Sequence, residues 1–397
     1  MIVLNSRWPL ALSFSLLLAV AGCGGGGDGG GSGGGDGGGN PPRTTTPWEW
    51  DLPAGFPQPV VPEDNPMTVE GFELGRHLFH DEQLSLNGEQ SCASCHQQEL
   101  AFSDGRARAL GSTDELHPRN SPSLTNVAYN PTLTWANPTA EELEEQLLVP
   151  LFGEDPVELG FAGQEDELLR RLREDMRYQE LFPAAFPGDE DPFTLDNLAD
   201  AIASFQRALI SGNSPYDRYI YQGEDDALSE SAQRGMDLFF SELLECDHCH
   251  GGLNFASALD HSGNPTDPTP FENNGLYNVG GAGDYPAANQ GLFLFTDEET
   301  DKGRMKPPTL RNIEITAPYM HDGSLATLED VIEHYVRGGT LTVDGPHAGD
   351  GRLNPNKSSF ITGFPLSAQG KADLVEFLKS LTDETFLTDP RFADPDA

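Results

Sequence analysis

Cysteine is scarce in this chain of 397 residues: Cys23, Cys92, Cys95, Cys246 and Cys249 are all there are. Four of them form two close pairs and the fifth stands alone near the start, which excludes a framework of structural disulfides. Basic residues are few as well, 23 Lys and Arg against 64 Asp and Glu, for a formal charge of −41. So acidic a chain repels polyanions, which excludes nucleic acid as a partner and favours a neutral or basic protein surface. Beyond the first 22 residues no apolar run approaches the length that spans a bilayer. Strand-like alternation of useful length is also missing, which leaves a mostly α chain with long loops.

The start of the chain reads as an export address. Residues 1–22 combine Arg7, an apolar run from Trp8 to Val20 and small residues, the pattern of a signal peptide. Val20-Ala21-Gly22-Cys23 resembles a bacterial lipoprotein processing box, with Cys23 as the lipidated residue. Residues 23–46, nearly all glycine up to position 39, form a flexible tether. The expectation is a periplasm-facing protein held by a lipid anchor to a bacterial membrane, the outer one in preference.

The four paired cysteines sit in Cys92-Ala93-Ser94-Cys95-His96 and Cys246-Asp247-His248-Cys249-His250. Two thiols separated by two residues and followed at once by histidine form the attachment pattern of a c-type haem. Both thiols add to one porphyrin, and the adjacent imidazole becomes a ligand of the iron. A redox pair or a split zinc site would explain the cysteines but not a histidine directly after each pair. Two covalent haems are therefore expected, with His96 and His250 as their proximal ligands.

The remaining patterns suggest a duplicated unit. Gly75-Arg76-His77-Leu78-Phe79 before the first motif is echoed by Arg234-Gly235-Met236-Asp237-Leu238-Phe239 before the second, and Phe102 and Phe255 follow the motifs. Expected boundaries are 47–213 for a first cytochrome c-like domain and 214–397 for a second, whose last helix is a candidate to pack on the first. Asn65-Pro66 looks like a helix cap, and Thr139 with Glu142 like a capping box. Residues 166–181 read as one amphipathic helix, and Thr194 and Thr327 as caps of two more. A last helix carries Leu374, Leu378 and Leu381. Candidates for a sixth ligand of the second iron are Met305, Met320, His321, His334 and Tyr335.

Over residues 48–385 the sequence resembles the bacterial di-haem cytochrome c peroxidases, in their MauG-like branch. The resemblance rests on Leu74-Gly75-Arg76, both haem motifs, Arg119-Asn120-Ser121-Pro122-Ser123, Pro308-Thr309-Leu310-Arg311-Asn312 and Thr316-Ala317-Pro318-Tyr319-Met320-His321-Asp322-Gly323. Trp48-Glu49-Trp50 and Leu133-Thr134-Trp135-Ala136-Asn137-Pro138 look most like the methanobactin-associated members. The resemblance implies that the His96 haem meets hydrogen peroxide, with Gln146, Pro150 and Glu158 on its distal side and Glu158 moving the proton. Two residues are inserted between Pro150 and Glu158 relative to the family, which keeps Asp155 and Glu154 as alternatives. It further implies Trp135 between the haems, a calcium ion at Asn120, Thr316 and Pro318, and Tyr335 as the sixth ligand of the His250 haem. The family usually continues its tryptophan with Asp-Gly-Arg, whereas Ala136-Asn137-Pro138 stands here.

The implied activity is a peroxide reaction that forms a high-valent state shared by two haems. That state then oxidises a residue of a partner protein, tryptophan in the first instance, to kynurenine in a copper-binding partner among the methanobactin-associated relatives. The alternatives are a peroxidase fed with electrons by a small cytochrome, and a non-enzymatic electron carrier.

Overall fold

Each haem motif is preceded by a helix that crosses a later helix at a glycine. In the computed structural model, which describes residues 44–264 and 269–397, the helix Val69–His80 lies on Leu195–Arg207 and the helix Glu230–Phe239 on Ala368–Lys379. A Cβ on Gly75 would stand 1.8 Å from the Ala201 carbonyl oxygen, and one on Gly235 would stand 2.0 Å from that of Asp373. Only a residue without a side chain allows backbones so close. Four residues on, Phe79 and Phe239 are buried in the two cores. All four helices start on a hydroxyl cap: Thr68, Thr194, Ser229 and Ser367 accept from backbone N–H groups of their first turns.

A second repeated device follows each motif. Pro122-Ser123-Leu124-Thr125-Asn126 and Pro308-Thr309-Leu310-Arg311-Asn312 both end on an asparagine in the left-handed region, with φ of 58° and 59°. Ser123 Oγ donates to the Ala101 carbonyl and Thr309 Oγ1 to the Asn254 carbonyl, each at 2.5 Å. The asparagine backbone amides donate to Leu209 O and Leu381 O, just past the second helix of each pair. Their side chains continue the match: Ser211 N donates to Asn126 Oδ1 and Asp383 N to Asn312 Oδ1, both at 2.7 Å.

Two apolar cores result. The first gathers Leu74, Leu78, Phe79, Phe102, Leu198, Ile202 and Phe205, together with Phe386, Leu387 and Phe392 from the end of the chain. The second gathers Phe239, Phe255, Ile332, Leu374, Phe377 and Leu378. Between them the buried Asp383 carboxylate accepts from Ser211 Oγ, Gly212 N and Asn213 N. Beside it Arg311 and Asp217, both fully buried, make a two-pronged ion pair at 2.8 and 3.0 Å. The Arg311 guanidinium also donates to Leu253 O and stacks on Phe56.

The mostly helical fold class holds, and strand is confined among the described residues to the antiparallel pair Leu341–Thr342 and Gly349–Asp350. Thr194 and Thr327 cap helices as expected. Other local expectations need correction. Thr68, not Asn65, caps the first helix; Asn65 is buried and donates to Glu144 and to Asp200 O. Thr139 caps nothing but donates to Asn137, and the helix Leu143–Phe152 begins at Glu142 without a side-chain cap. The span 166–181 is two helices, Glu165–Glu174 and Tyr178–Ala185, broken where Asp175 turns to extended backbone. Leu381 lies just beyond its helix. The expected signal segment, Cys23 and the tether as far as residue 43 lie outside the described residues. No helix among the described residues is long and apolar enough to cross a membrane.

Arg311→Met should strand the Asp217 carboxylate in the interior and cost about 3–5 kcal/mol. Chemical denaturation should show this loss, and adding Asp217→Asn should recover part of it.

Candidate active site

Both haem motifs are single helical turns, Cys92–Cys95 and Asp247–His250. The first is held by a capping box in which Ser91 and Ser94 exchange bonds. Burial pushes the Cys92 and Cys246 thiols up to about 12 and Cys95 and Cys249 to about 11. His96 Nδ1 lies 2.8 Å from the Phe102 carbonyl, and the Pro122 carbonyl also faces the ring. His250 repeats this with Phe255 O at 3.3 Å and Pro308 O at 3.1 Å. A carbonyl can only accept, so each Nδ1 carries the proton and each Nε2 keeps its lone pair for a metal. Burial lowers both imidazoles, His250 to about 4, which keeps them in the neutral form that a metal takes.

The donor set fits a covalent haem in both places. At the second, Cys246, Cys249 and His250 open onto a cavity of about 190 Å³, walled largely by Phe239, Leu310, Ile313, Leu328, Ile332 and Leu378. His321 Nε2, in the wall of the same cavity, and Gln146 Oε1 are buried polar atoms without a partner among the described residues.

On the side of the first motif the structure brings Pro150 next to the Glu158 segment, with Gln146 one turn earlier on the same helix. Gln146 and Pro150 share the helix Leu143–Phe152, and the Pro150 carbonyl accepts from Leu159 N, next to Glu158. The Glu158 carbonyl is held by Ser112 N at 2.7 Å. Its carboxylate acts on the thiols of both Cys92 and Cys95. The side chain is 36% accessible but otherwise enclosed, and that enclosure raises its carboxyl to about 7. Glu154 and Asp155, the alternatives, are exposed. Sequence reasoning missed His117, whose Nε2 lies 3.8 Å from Glu158 Oε1 while its Nδ1 accepts from Arg119 N. A lone histidine three residues before Asn120 carries no spacing that marks it.

At the second motif, Met305, Met320, His321 and Tyr335 all line the cavity. His334 does not: its ring nitrogens are taken by Thr340 Oγ1 at 2.8 Å and Asn274 O at 3.1 Å. The Tyr335 phenol bonds Asn274, and burial with the two neighbouring thiols holds its proton on well above the usual tyrosine range. Trp135 lines this cavity too, and its Nε1 donates to Asn120 O at 2.9 Å. The next residue, Ser121, donates to Cys95 O at 2.8 Å, so Trp135 connects the second cavity to the first motif through two hydrogen bonds. Asn120 itself is buried, its N donating to His321 O and its Nδ2 to Arg106 O. Thr316 and Pro318 lie in the loop that carries Tyr319 to His321. Among the described residues no cluster of three or more His, Cys, Asp or Glu is arranged to hold a metal ion.

Two covalent-haem motifs in a duplicated helical frame, one beside a raised carboxyl and one beside a buried phenol, define a di-haem oxidoreductase of the cytochrome c type. Residues 69–226 match the family model for di-haem cytochrome c peroxidase. The methylamine utilization protein MauG of Methylorubrum extorquens is 33% identical over 323 residues, 81% of each chain. Cytochrome-c peroxidase IdrP1 of a Pseudomonas species is 34% identical over 345 residues, covering 83% of this chain and 85% of that one. Among solved structures, a MauG-like protein associated with microbial copper homeostasis superposes with a TM-score of 0.86 at 50% identity, over 88% of this chain and 100% of that one. The chain belongs to the di-haem cytochrome c peroxidase family, in its MauG-like branch, and is a di-haem peroxidase or oxidase.

Cys92→Ala with Cys95→Ala should leave one covalent haem per chain, as should Cys246→Ala with Cys249→Ala. Haem content after acid extraction checks this, and only the first pair should remove the reaction with peroxide.

Proposed function

We propose that this enzyme uses hydrogen peroxide at the His96 haem to oxidise a tryptophan on an exported partner protein, held at a distance from both irons. The observation that carries this reading is the Tyr335 phenol in the same cavity as His250, with Trp135 leading from that cavity toward the first motif. The solved relative at 50% identity is associated with copper homeostasis, and on that ground the partner is proposed to be copper-binding, its tryptophan going to kynurenine. Two further readings go with it. The protein faces the periplasm on a lipid carried by Cys23, and its units run over 47–213 and 214–397.

Bound haem would supply the two electrons that reduce the peroxide bond and would hold the oxidising equivalents left behind. The protein's own groups do the rest. Glu158, with its carboxyl raised to about 7, takes a proton from the near peroxide oxygen and returns it to the far one. Gln146, with a free buried oxygen, and Pro150 shape the space in which peroxide is held. Trp135 offers an indole between the two sites. A phenolate from Tyr335, once on iron, is a hard anionic ligand that favours oxidised states. Asn120 with the Thr316 and Pro318 carbonyls is proposed to hold calcium, whose preference is for such oxygen donors.

A second reading has its own support. Met305 and Met320 line the same cavity, and a thioether on the second iron would favour its reduced state and suit electron supply from a small cytochrome.

Two experiments test the proposal. Below about pH 7 the Glu158 carboxyl holds its proton and cannot accept another, so the peroxide reaction of the wild type should quicken as pH rises through 7. Glu158→Gln should be slower by about a hundredfold and lose that rise, as read by stopped-flow absorbance. Separately, the diferric wild type should react with peroxide without prior reduction. Tyr335→His should keep both haems yet fail to oxidise a partner tryptophan, as read by mass spectrometry. If the wild type needs one-electron reduction first and Tyr335→His oxidises the partner normally, the cytochrome-fed peroxidase is the correct reading.

A further inference from the structure

The wall of the second cavity holds a cation that nothing above uses. Lys306 lines it beside Trp135 and is partly buried, and desolvation in that wall brings its ammonium down to about 8. Burying an ammonium is costly unless an anion answers it. Among the described residues Lys306 makes no side-chain hydrogen bond and no ion pair; its backbone N donates to Trp135 O at 2.8 Å. Glu272 shares the lining, yet it bears on the Cys249 thiol and forms no ion pair with Lys306.

His321 stands in the same wall, 4% exposed, with Nε2 buried and unpartnered. The two are tied into one frame. Lys306 N bonds Trp135 O, Trp135 Nε1 bonds Asn120 O, and Asn120 N bonds His321 O. The charged groups that bear on His321 are Asp322 and Arg119, and Arg119 spends its Nε on Asn289. A cation and a free imidazole nitrogen therefore line the same largely apolar cavity.

We propose that Lys306, with His321, is the carboxylate anchor of the second cavity and binds a propionate of the haem held by Cys246 and Cys249. The porphyrin carries carboxylates that need a counter-charge when enclosed, and Lys306 is the partly buried cation of this wall. A fixed positive charge here favours the more electron-rich, ferrous state of that haem, so Lys306 opposes the anionic Tyr335. The anchor also joins the haem edge to the backbone of Trp135, which makes Lys306 a positioning residue for the inter-haem path. This inference rests on the second haem of the proposed function and stands apart from the role of Glu158.

The test uses the full-length di-haem protein. Lys306→Gln should retain two covalent haems, lower the reduction potential of the His250 haem and shift its propionate bending band in resonance Raman spectra, with the His96 haem unmoved. Lys306→Arg keeps the charge and should restore both signals. His321→Asn should shift the same band by a smaller amount. An unmoved propionate band and an unchanged potential in a fully loaded Lys306→Gln would overturn the assignment. Should Lys306→Gln fail to load the second haem, Lys306→Arg must load it and keep the wild-type band; a shifted band there overturns the assignment equally.

Discussion

The tight turn that runs from Pro122 to Asn126, and again from Pro308 to Asn312, is the constraint on which the rest depends. At its start a proline carbonyl faces the imidazole that the haem needs. At its end an asparagine in left-handed backbone ties down the chain leaving the helix pair. One five-residue device thus sets both the tautomer of the iron ligand and the placing of the core beneath it. The left-handed asparagine is tolerated because its side chain is fully engaged on both sides. Loss of the turn would free the histidine ring and the core together.

Duplication explains the frame, and divergence explains the function. The two halves share a glycine crossing, a haem turn, a phenylalanine carbonyl on histidine and the asparagine turn. They differ in what faces the porphyrin. The first motif meets a carboxyl raised by burial. The second meets a phenol, two thioethers and a partly buried ammonium. On the proposed function, one site moves protons and the other sets a potential. Trp135, bonded toward the first motif yet lining the second cavity, belongs to both.

The seam between the halves is polar where most cores are apolar. Asp383 and Asn312 of the second half form one buried network with Ser211 of the first. Such groups add little net stability compared with a well-packed apolar seam, but each is satisfied in only one relative arrangement. That suits a protein whose two redox centres must keep a set separation.

The haem motifs, the mostly helical class and the duplicated lead-in were legible from the sequence, because covalent chemistry demands residue types at set local spacing. Cys92, Cys95 and His96 are neighbours whatever the rest of the chain does. The Thr194 and Thr327 caps were legible for the same reason: a cap is satisfied within three residues. Asn65 misled because its partners, Glu144 and Asp200, are remote in sequence. Only the tertiary structure separates the three candidate acids, since Glu154 and Asp155 are exposed whereas Glu158 is partly enclosed. It likewise took His334 out of the cavity, by bonding both ring nitrogens to groups on other segments. Lys306 carries no local signature at all. A lysine before two prolines becomes a partly buried cation only when Trp135, 171 positions earlier, folds beside it. Local order settles attachment; burial, which depends on the whole chain, settles charge.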